Sequence, residues 1–423
     1  MSGAKNGVAK KISDKEQTAV YTHCYGHALN LAVGDTAKRS KIMRDALDTT
    51  YEMSKLVKFS PKRDSLFERL KLELAPETPG FRTLCPTRWT VRANSLQSVV
   101  DNYEVLQDLW EESYSSVKKT DMRARIKGVD AQMKSFDFLF CVMLGHSIMA
   151  HTDNLSKALQ HQDLSASEGQ AMAQLTLETL TKLRSDESFS EFYENVKEKA
   201  ETVDVNEPSV PRKRKMPKRF QFGDAEHFFP QTESDMYRQK YFEALDLVIN
   251  CVKNRFDQPG YKVFRNVEEL LTKAVQSEFG NYSDEFTFVT QFYEKDINKD
   301  SLKVQLETLK TYFAQQDSGS INLSDIFEYL RKLKPPMRSI YSEVVTLVKI
   351  LLVIPATNAT SERTFSALRR IKTYLRSSMT QTRLNSLMTM HVHKHRTDTL
   401  DMTSIANEFT TRNEKRRCVF GKF

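Results

Sequence analysis

The sequence predicts a mostly α-helical protein, and three observations carry that expectation. From Val91 to about Ala200 apolar residues recur at three- to four-residue spacing, the period of one helix face. Strand candidates are few: Ala19–Cys24 is a short β-favouring run, and Phe81–Trp89 holds a second short extended piece. No strand–helix–strand alternation and no internal repeat is visible in the 423 residues.

Taken in order, residues 1–17 are polar and Lys-rich. Beyond the extended run, Ala28, Leu29, Leu31, Ala32 and Val33 form a helix face. Asp45 to Lys58 continues helical through Leu47, Tyr51, Leu56 and Val57. Pro61 breaks the chain before a helix from Asp64 to Leu74, and residues 75–80 form a Pro/Gly turn cluster. The long helical stretch after Val91 has breaks near Lys119, Thr152 and Ser185. Leu96, Val99, Val100 and Tyr103 make one of its faces, followed by Leu106, Leu109 and Trp110. Residues 201–234 change character, being polar and carrying three prolines before residue 218, and read as an exposed loop. Helical pattern resumes at Ser234 and runs through Tyr241, Phe242, Leu245, Val248 and Ile249. Val267–Val275 is another helix, 318–324 a turn, and Asp325–Lys334 a helix closed by Pro335 and Pro336.

The stretch from Ile354 to Ser366 is the most informative. Thr357, Asn358, Thr360 and Ser361 supply side chains that cap free backbone N–H groups and place Glu362 at a helix start. Phe365, Leu368, Ile371 and Leu375 then recur on one face. Leu384, Leu387, Met388 and His391 form a second periodic segment, so the pair reads as two packed helices joined by a polar turn at 377–382.

Composition narrows the class. Hydrophobic residues make up 39% and charged residues 28%, enough for real cores and long polar faces. The net charge of +8 is compatible with an anionic polymer partner without demanding one. No apolar run approaches the roughly 18–20 residues that span a bilayer; Val344–Ile354 is short, interrupted by Thr346 and Lys349, and reads as a buried helix. The N-terminus lacks the apolar core of a signal peptide. The five cysteines, Cys24, Cys85, Cys141, Cys251 and Cys418, are scattered and never spaced CxxC, which fits a reducing compartment and a protein that is not secreted.

Each chemical motif has a bland reading beside the sharp one. The run 211–219 holds six basic residues in nine: Arg212, Lys213, Arg214, Lys215, Lys218 and Arg219. Flanked by prolines, it stays extended and accessible, which favours a nuclear import signal or a nucleic-acid contact over a merely solvated loop. Cys24 and His27 have the spacing of two metal ligands, but a structural zinc site needs four, and no second pair supports them. A buried cysteine and a hydrogen-bonded histidine at a strand-to-helix junction is the better reading. His391 and His395 share a helix face yet sit in a basic tail, where positive charge suits a helix C-terminus. Glu362 alone proves nothing, because two-metal chemistry on polynucleotides requires several convergent carboxylates.

Three separated blocks together carry a resemblance. His23-Cys-Tyr-Gly-His-Ala-Leu-Asn-Leu31 resembles the C-x-x-H-x-L-N-L block of hAT-family transposases. Cys85-Pro-Thr-Arg-Trp89 is similar to the T-R-W block that follows it. Pro355–Ser366, with Leu375–Met379 and Leu384–His391, resembles the family's C-terminal dimerisation block. Order and spacing agree over nearly the whole chain, and the flavour is that of the domesticated zinc-finger-MYM-like and kinase-inhibitor-repressor-like branch.

The resemblance implies a remnant of an RNase H-like domain, its first strands missing, with a large α-helical insertion. On that scheme residues 1–90 hold the remnant with the CxxH and TRW blocks, and 91–335 the insertion with its basic loop. Residues 336–400 hold the C-terminal helices and dimerisation region, and 401–423 a basic tail. Glu362 matches the third acid of a metal-holding Asp, Asp, Glu set. Met1-Ser-Gly3 resembles a block that follows the second aspartate, so both aspartates would lie upstream of residue 1. Asp14, Asp35 and Asp45 do not occupy the motif position. The resulting expectation is a catalytically inactive, transposon-derived protein, without cofactor, acting through dimerisation with itself or a hAT-like partner. Phe365, Leu368, Leu375, Leu384, Leu387 and Met388 divide between the intrachain core and the partner. Arg88 and Trp89 are candidate nucleic-acid contacts, Cys24 and His27 are structural, and the location is the nucleus or otherwise the cytoplasm. The alternatives are a metal-dependent DNA strand-transfer enzyme if a longer chain supplies the aspartates, a non-catalytic DNA-binding regulator, and a gene fragment without stable function.

Overall fold

A computed structural model describes the chain except residues 1–6, 17, 85–91, 161–164, 210–229, 231, 316–320, 354–358, 374–377 and 422–423, and the side chains of 359–363. Among the described residues it forms helices and no strand. The mostly α expectation therefore holds, whereas the sheet of an RNase H-like remnant is not seen. Residues 19–24, read as a β-favouring run, carry no regular secondary structure and pair with no other segment through their backbone among the described residues. The described residues fall into two compact units, Met1–Thr357 and Asn358–Phe423.

In the first unit, α1 (Val8–Ser13) and the segment at 19–24 precede α2 (Tyr25–Arg39). The side chain of Ser40 caps α3 (Lys41–Lys58), and that of Ser60 caps α4 (Pro61–Leu74). Pro61 starts α4 rather than ending a helix, since the first turn leaves its missing N–H unneeded. Then come α5 (Arg92–Asp101), α6 (Tyr103–Ser116), α7 (Thr120–Met133) and α8 (Phe136–Ala158). The break expected at Thr152 is absent. Thr152 is buried inside α8, its hydroxyl donating to the Met149 carbonyl at 3.0 Å, so a polar residue stands in a helix interior without ending it. Ser165 and Ser185 cap α9 (Ala166–Leu183) and α10 (Asp186–Thr202), and Thr232 caps α11 (Glu233–Phe256). α8 packs against α3, α5, α9 and α10, and α2 against α11, around a first core that includes Trp110, Tyr103 and Phe140. No single helix among the described residues is long and apolar enough to cross a membrane.

A second core follows, built by α12 (Pro259–Gln276), α13 (Ser283–Phe292), α14 (Lys299–Ala314), α15 (Leu323–Lys332), the short α16 (Pro335–Arg338) and α17 (Ser342–Val353). α14 packs its Leu302, Leu306, Leu309 and Phe313 inward, a repeat at helical spacing that marks the helix plainly in the sequence. The second unit holds α18 (Ala359–Ile371), α19 (Gln381–Val392), α20 (Lys394–Thr397), α21 (Met402–Thr411) and α22 (Glu414–Phe420).

Within the first unit the two cores are joined at Tyr25. Its ring stacks on Tyr261 at 4.4 Å and faces Phe256 at 5.9 Å, while its hydroxyl donates to the Ala166 carbonyl at 3.0 Å. The N–H of Ala166 donates to the buried carboxylate of Glu268 on α12 at 2.7 Å. Two glycines permit the close approach. A Cβ at Gly169 would lie 2.6 Å from the Tyr25 ring, and one at Gly260 would lie 1.5 Å from the Thr22 hydroxyl oxygen. Gly169→Ala should therefore cost about 1–3 kcal/mol by overpacking a core that cannot yield. Tyr25→Phe, which removes one hydrogen bond and keeps the ring, should cost about 1 kcal/mol. Urea melts of the two variants measure both; equal stability of Gly169→Ala and the parent would show that the ring is free to shift.

Asp153 on α8 is only 7% exposed and accepts from the backbone of Ala93 at the start of α5. Burial pushes its carboxyl up to about 6, against the smaller opposing pull of the Ala93 hydrogen bond, Lys157 and Arg92. A folded-state value above the unfolded one means this group adds stability while protonated. That contribution is complete below about pH 4 and lost as pH rises through about 6. Asp153→Asn keeps the acceptor and removes the charge. It should raise stability by about 1–3 kcal/mol near pH 7.5 and leave it unchanged near pH 4, as read from denaturant melts at the two pH values.

Candidate dimerisation surface

The two C-terminal helices foreseen after residue 358 form and pack together as α18 and α19. The Thr380 hydroxyl accepts from the Arg383 N–H at 3.4 Å and so starts α19. The buried hydrophobic side chains described in the second unit are Ala367 and Leu384 alone. Each large side chain buried is worth about 1.5–3 kcal/mol, and helices of this length are marginal in water when isolated. Leu384 is the one large side chain of the two, so the described core is small for a whole unit. Phe365 is 70% exposed. Leu368, Leu387 and Met388 are half-buried, Leu384 faces inward, and Leu375 lies outside the described residues.

More apolar surface follows that the sequence reading missed. Met402, Ile405 and Phe409 on α21 are exposed at i, i+3, i+7 spacing, a signal the sequence carries openly. α22 packs on α21, with Phe420 edge-on to Phe409 at 6.1 Å and the Arg416 guanidinium over the Phe409 ring at 4.1 Å.

The other predicted residues do not gather at one place. Glu362 is on α18, but its side chain lies outside the described residues, as do Arg88, Trp89 and the basic run 212–219. Cys24 is buried at the N-cap of α2. His27 is exposed one turn later, its ring 4.5 Å from that of His23. Burial holds the His23 imidazole below its ordinary range, and His27 and Arg255 add to that. The His23 carbonyl accepts from the Tyr261 hydroxyl at 2.8 Å, which ties this block to α12. Among the described residues no three His, Cys, Asp or Glu side chains lie close enough to share a metal. Asp14, Asp35 and Asp45 pair with Lys10, Arg255 and Lys41 at 2.6, 2.6 and 2.7 Å. His391 and His395 are exposed. In the first unit the segment at 19–24 lines a groove of about 440 Å³, with Val20 and Thr22 facing Gly260, Val263, Tyr293 and Lys349.

Charge is distributed as unevenly as apolar burial. Residues 358–423 contain thirteen Lys and Arg against five Asp and Glu, which is the whole excess of the chain. Of the 63 basic and 55 acidic residues in all, fifty of each remain in residues 1–357. Among the described residues of the second unit the one ion pair is Arg412 with Glu408.

Comparison with known proteins gives this surface a context. Residues 308–395, from within α14 to α20, match the hAT family C-terminal dimerisation region. The chain is also similar to the 52 kDa repressor of the inhibitor of the protein kinase from Mus musculus, 22% identical over 414 residues that cover 94% of this chain and 53% of the relative. The Homo sapiens protein of the same name is 22% identical over 425 residues, covering 96% and 54%. The chain thus spans about half the length of the curated relatives it matches. It carries a hAT-type C-terminal dimerisation region and is homologous, at low identity, to this repressor over nearly its whole length.

Proposed function

We propose that this chain acts as a non-catalytic association module, pairing with a second copy of itself through α18 and α19. One observation carries the reading. Within the stretch that matches a dimerisation region, Phe365 stands exposed on a pair of helices that bury almost no hydrophobic side chains of their own. A second copy would supply the missing core, with Phe365 as the aromatic anchor and Leu368, Leu387 and Met388 completing their burial. Leu384 and Ala367 serve the intrachain contact instead.

The remaining parts of the reading rest on lesser support. A non-enzymatic role fits relatives whose name describes a repressor. A nuclear location fits the same name together with the basic run 211–219. A reduced RNase H-like layer fits the strand-like composition of the unpaired segment at 19–24, whose Val20–Thr22 backbone makes no hydrogen bond among the described residues.

Size-exclusion chromatography with light scattering should give a species of twice the 48.9 kDa protomer mass at micromolar concentration. Phe365→Glu combined with Leu387→Glu should weaken association at least about tenfold and leave the main melting transition in place. A strictly monomeric parent sinks the proposal. Because both copies bring the same excess of positive charge, association should tighten with salt. Raising ionic strength from about 0.01 M to about 0.15 M shortens the Debye length from roughly 30 to 8 Å, and the dissociation constant from sedimentation equilibrium should fall accordingly.

A further inference from the structure

In the first unit, the segment ahead of α2 is pinned at its ends and open in the middle. The Ala19 N–H donates to the Glu16 carbonyl at 3.1 Å, and the His23 carbonyl accepts from the Tyr261 hydroxyl at 2.8 Å. Between them the N–H and C=O groups of Val20, Tyr21 and Thr22 make no hydrogen bond among the described residues. Side chains alternate along this stretch. Val20 and Thr22 line the groove of about 440 Å³, while the Tyr21 ring meets that of His23 edge-on at 5.0 Å. A period of two is the one a strand presents to a neighbour. Val263 of α12 and Ile350 and Val353 of α17 make much of the remaining lining apolar. Lys349, which is exposed, is the one charged residue in that lining.

We propose that this groove docks an extended peptide segment of a partner protein, one that pairs its backbone with Val20–Thr22, lays an apolar side chain in the groove and sets a carboxylate against Lys349. Strand addition of this kind draws affinity from main-chain hydrogen bonds and specificity from alternate side chains. Three backbone residues span about 10 Å, room for a short run of paired donors and acceptors. Because the segment is fixed at Ala19 and His23, its open groups lose little freedom on binding. The groove volume lies in the range of about 300–1,000 Å³ that ligand clefts occupy. An apolar lining with a single cation is complementary to an apolar segment with a single acid. The competing occupant is the same segment of a second copy. Residues 18–23 read Thr, Ala, Val, Tyr, Thr and His, so that occupant brings no carboxylate to Lys349. The site lies in the first unit and does not rest on the dimerisation reading.

The test uses the full chain and a fluorescein-labelled peptide of about eight residues, alternating valine and threonine with one central aspartate, read by anisotropy. It should bind with a dissociation constant below about 1 mM. N-methylating alternate peptide residues keeps the side chains and removes the donors on one edge only. In one of the two registers this should weaken binding at least about tenfold, and in the other it should change little. Lys349→Glu alters an exposed side chain and leaves the melting transition in place. It should turn a preference for the aspartate peptide over its lysine counterpart into the reverse, by about two- to fivefold each way. Absence of binding at 1 mM overturns the proposal, as do equal effects of the two N-methyl registers or an unchanged preference in Lys349→Glu. Tyr21→Pro removes one open N–H on an exposed residue and should weaken the peptide without changing the oligomeric state. A dimer that falls apart in Tyr21→Pro assigns the edge to a second copy and also overturns it.

Discussion

The first unit depends on one aromatic side chain held between two cores. Tyr25 begins α2 in the first core and hydrogen-bonds the backbone of α9, whose own first N–H is held by Glu268 from the second. A buried hydroxyl must find a partner or cost more than the hydrogen bond is worth, so the position of α9 relative to α2 is set by that bond as well as by packing. Glu268 is buried, and burial raises its carboxyl above the ordinary range, with the backbone of Ala166 pulling the other way. The junction therefore combines a satisfied neutral donor with a costly carboxylate. The costly member is retained where two halves of the helical body meet. In this light the Cys24–His27 block is a joint: Cys24 is buried at its cap, His23 lends its carbonyl to Tyr261, and Tyr25 fills the gap that Gly169 leaves open.

Much of this was legible in the sequence, and what was missed has physical reasons. Helix identity came from periodicity, and the pair after residue 358 was found by its apolar spacing. Thr152 misled because hydroxyl residues favour helix ends, whereas here the hydroxyl returns to its own helix carbonyl and α8 passes through. The segment at 19–24 has strand composition, but a strand also needs a neighbour, which local composition does not reveal. The importance of Tyr25, Gly169, Gly260 and Glu268 was invisible because their partners are distant in sequence: Tyr25 meets Ala166 141 positions away. The surface at α18 and α19 was legible as a pattern only, since the same spacing describes a helix packed inside one chain and a helix awaiting another.

The stretch that matches the dimerisation region does not coincide with either compact unit. Its first part, α14 to α17, is deeply engaged in the second core through Leu309, Phe313, Ile326, Tyr341 and Leu347. Its last part, α18 to α20, buries little. On the dimerisation proposal, a region with two such halves divides the work of association. The packed half is stable without a partner, and the core-poor half has apolar side chains still exposed, which are the ones a partner can gain by covering. Exposed Leu352 and Val353 at the end of α17 show that the transition from packed to unpacked begins before α18 does.

The same unit is dense in exposed apolar residues, with nine of the twenty-two large ones among the described residues, and holds the chain's entire charge excess, and the combination is physically coherent. An exposed apolar surface without charge aggregates with any similar surface it meets. Excess charge of one sign keeps copies apart at long range, where screening leaves only a residual repulsion, and yields at contact if the apolar fit is good enough. Association then requires complementarity at short range, which a correct partner supplies and an arbitrary one does not. On the dimerisation proposal, charge in this unit trades affinity for specificity. A partner surface that fits gains the burial of Phe365 and its neighbours, while an ill-fitting one meets thirteen cations with only five acids to soften them.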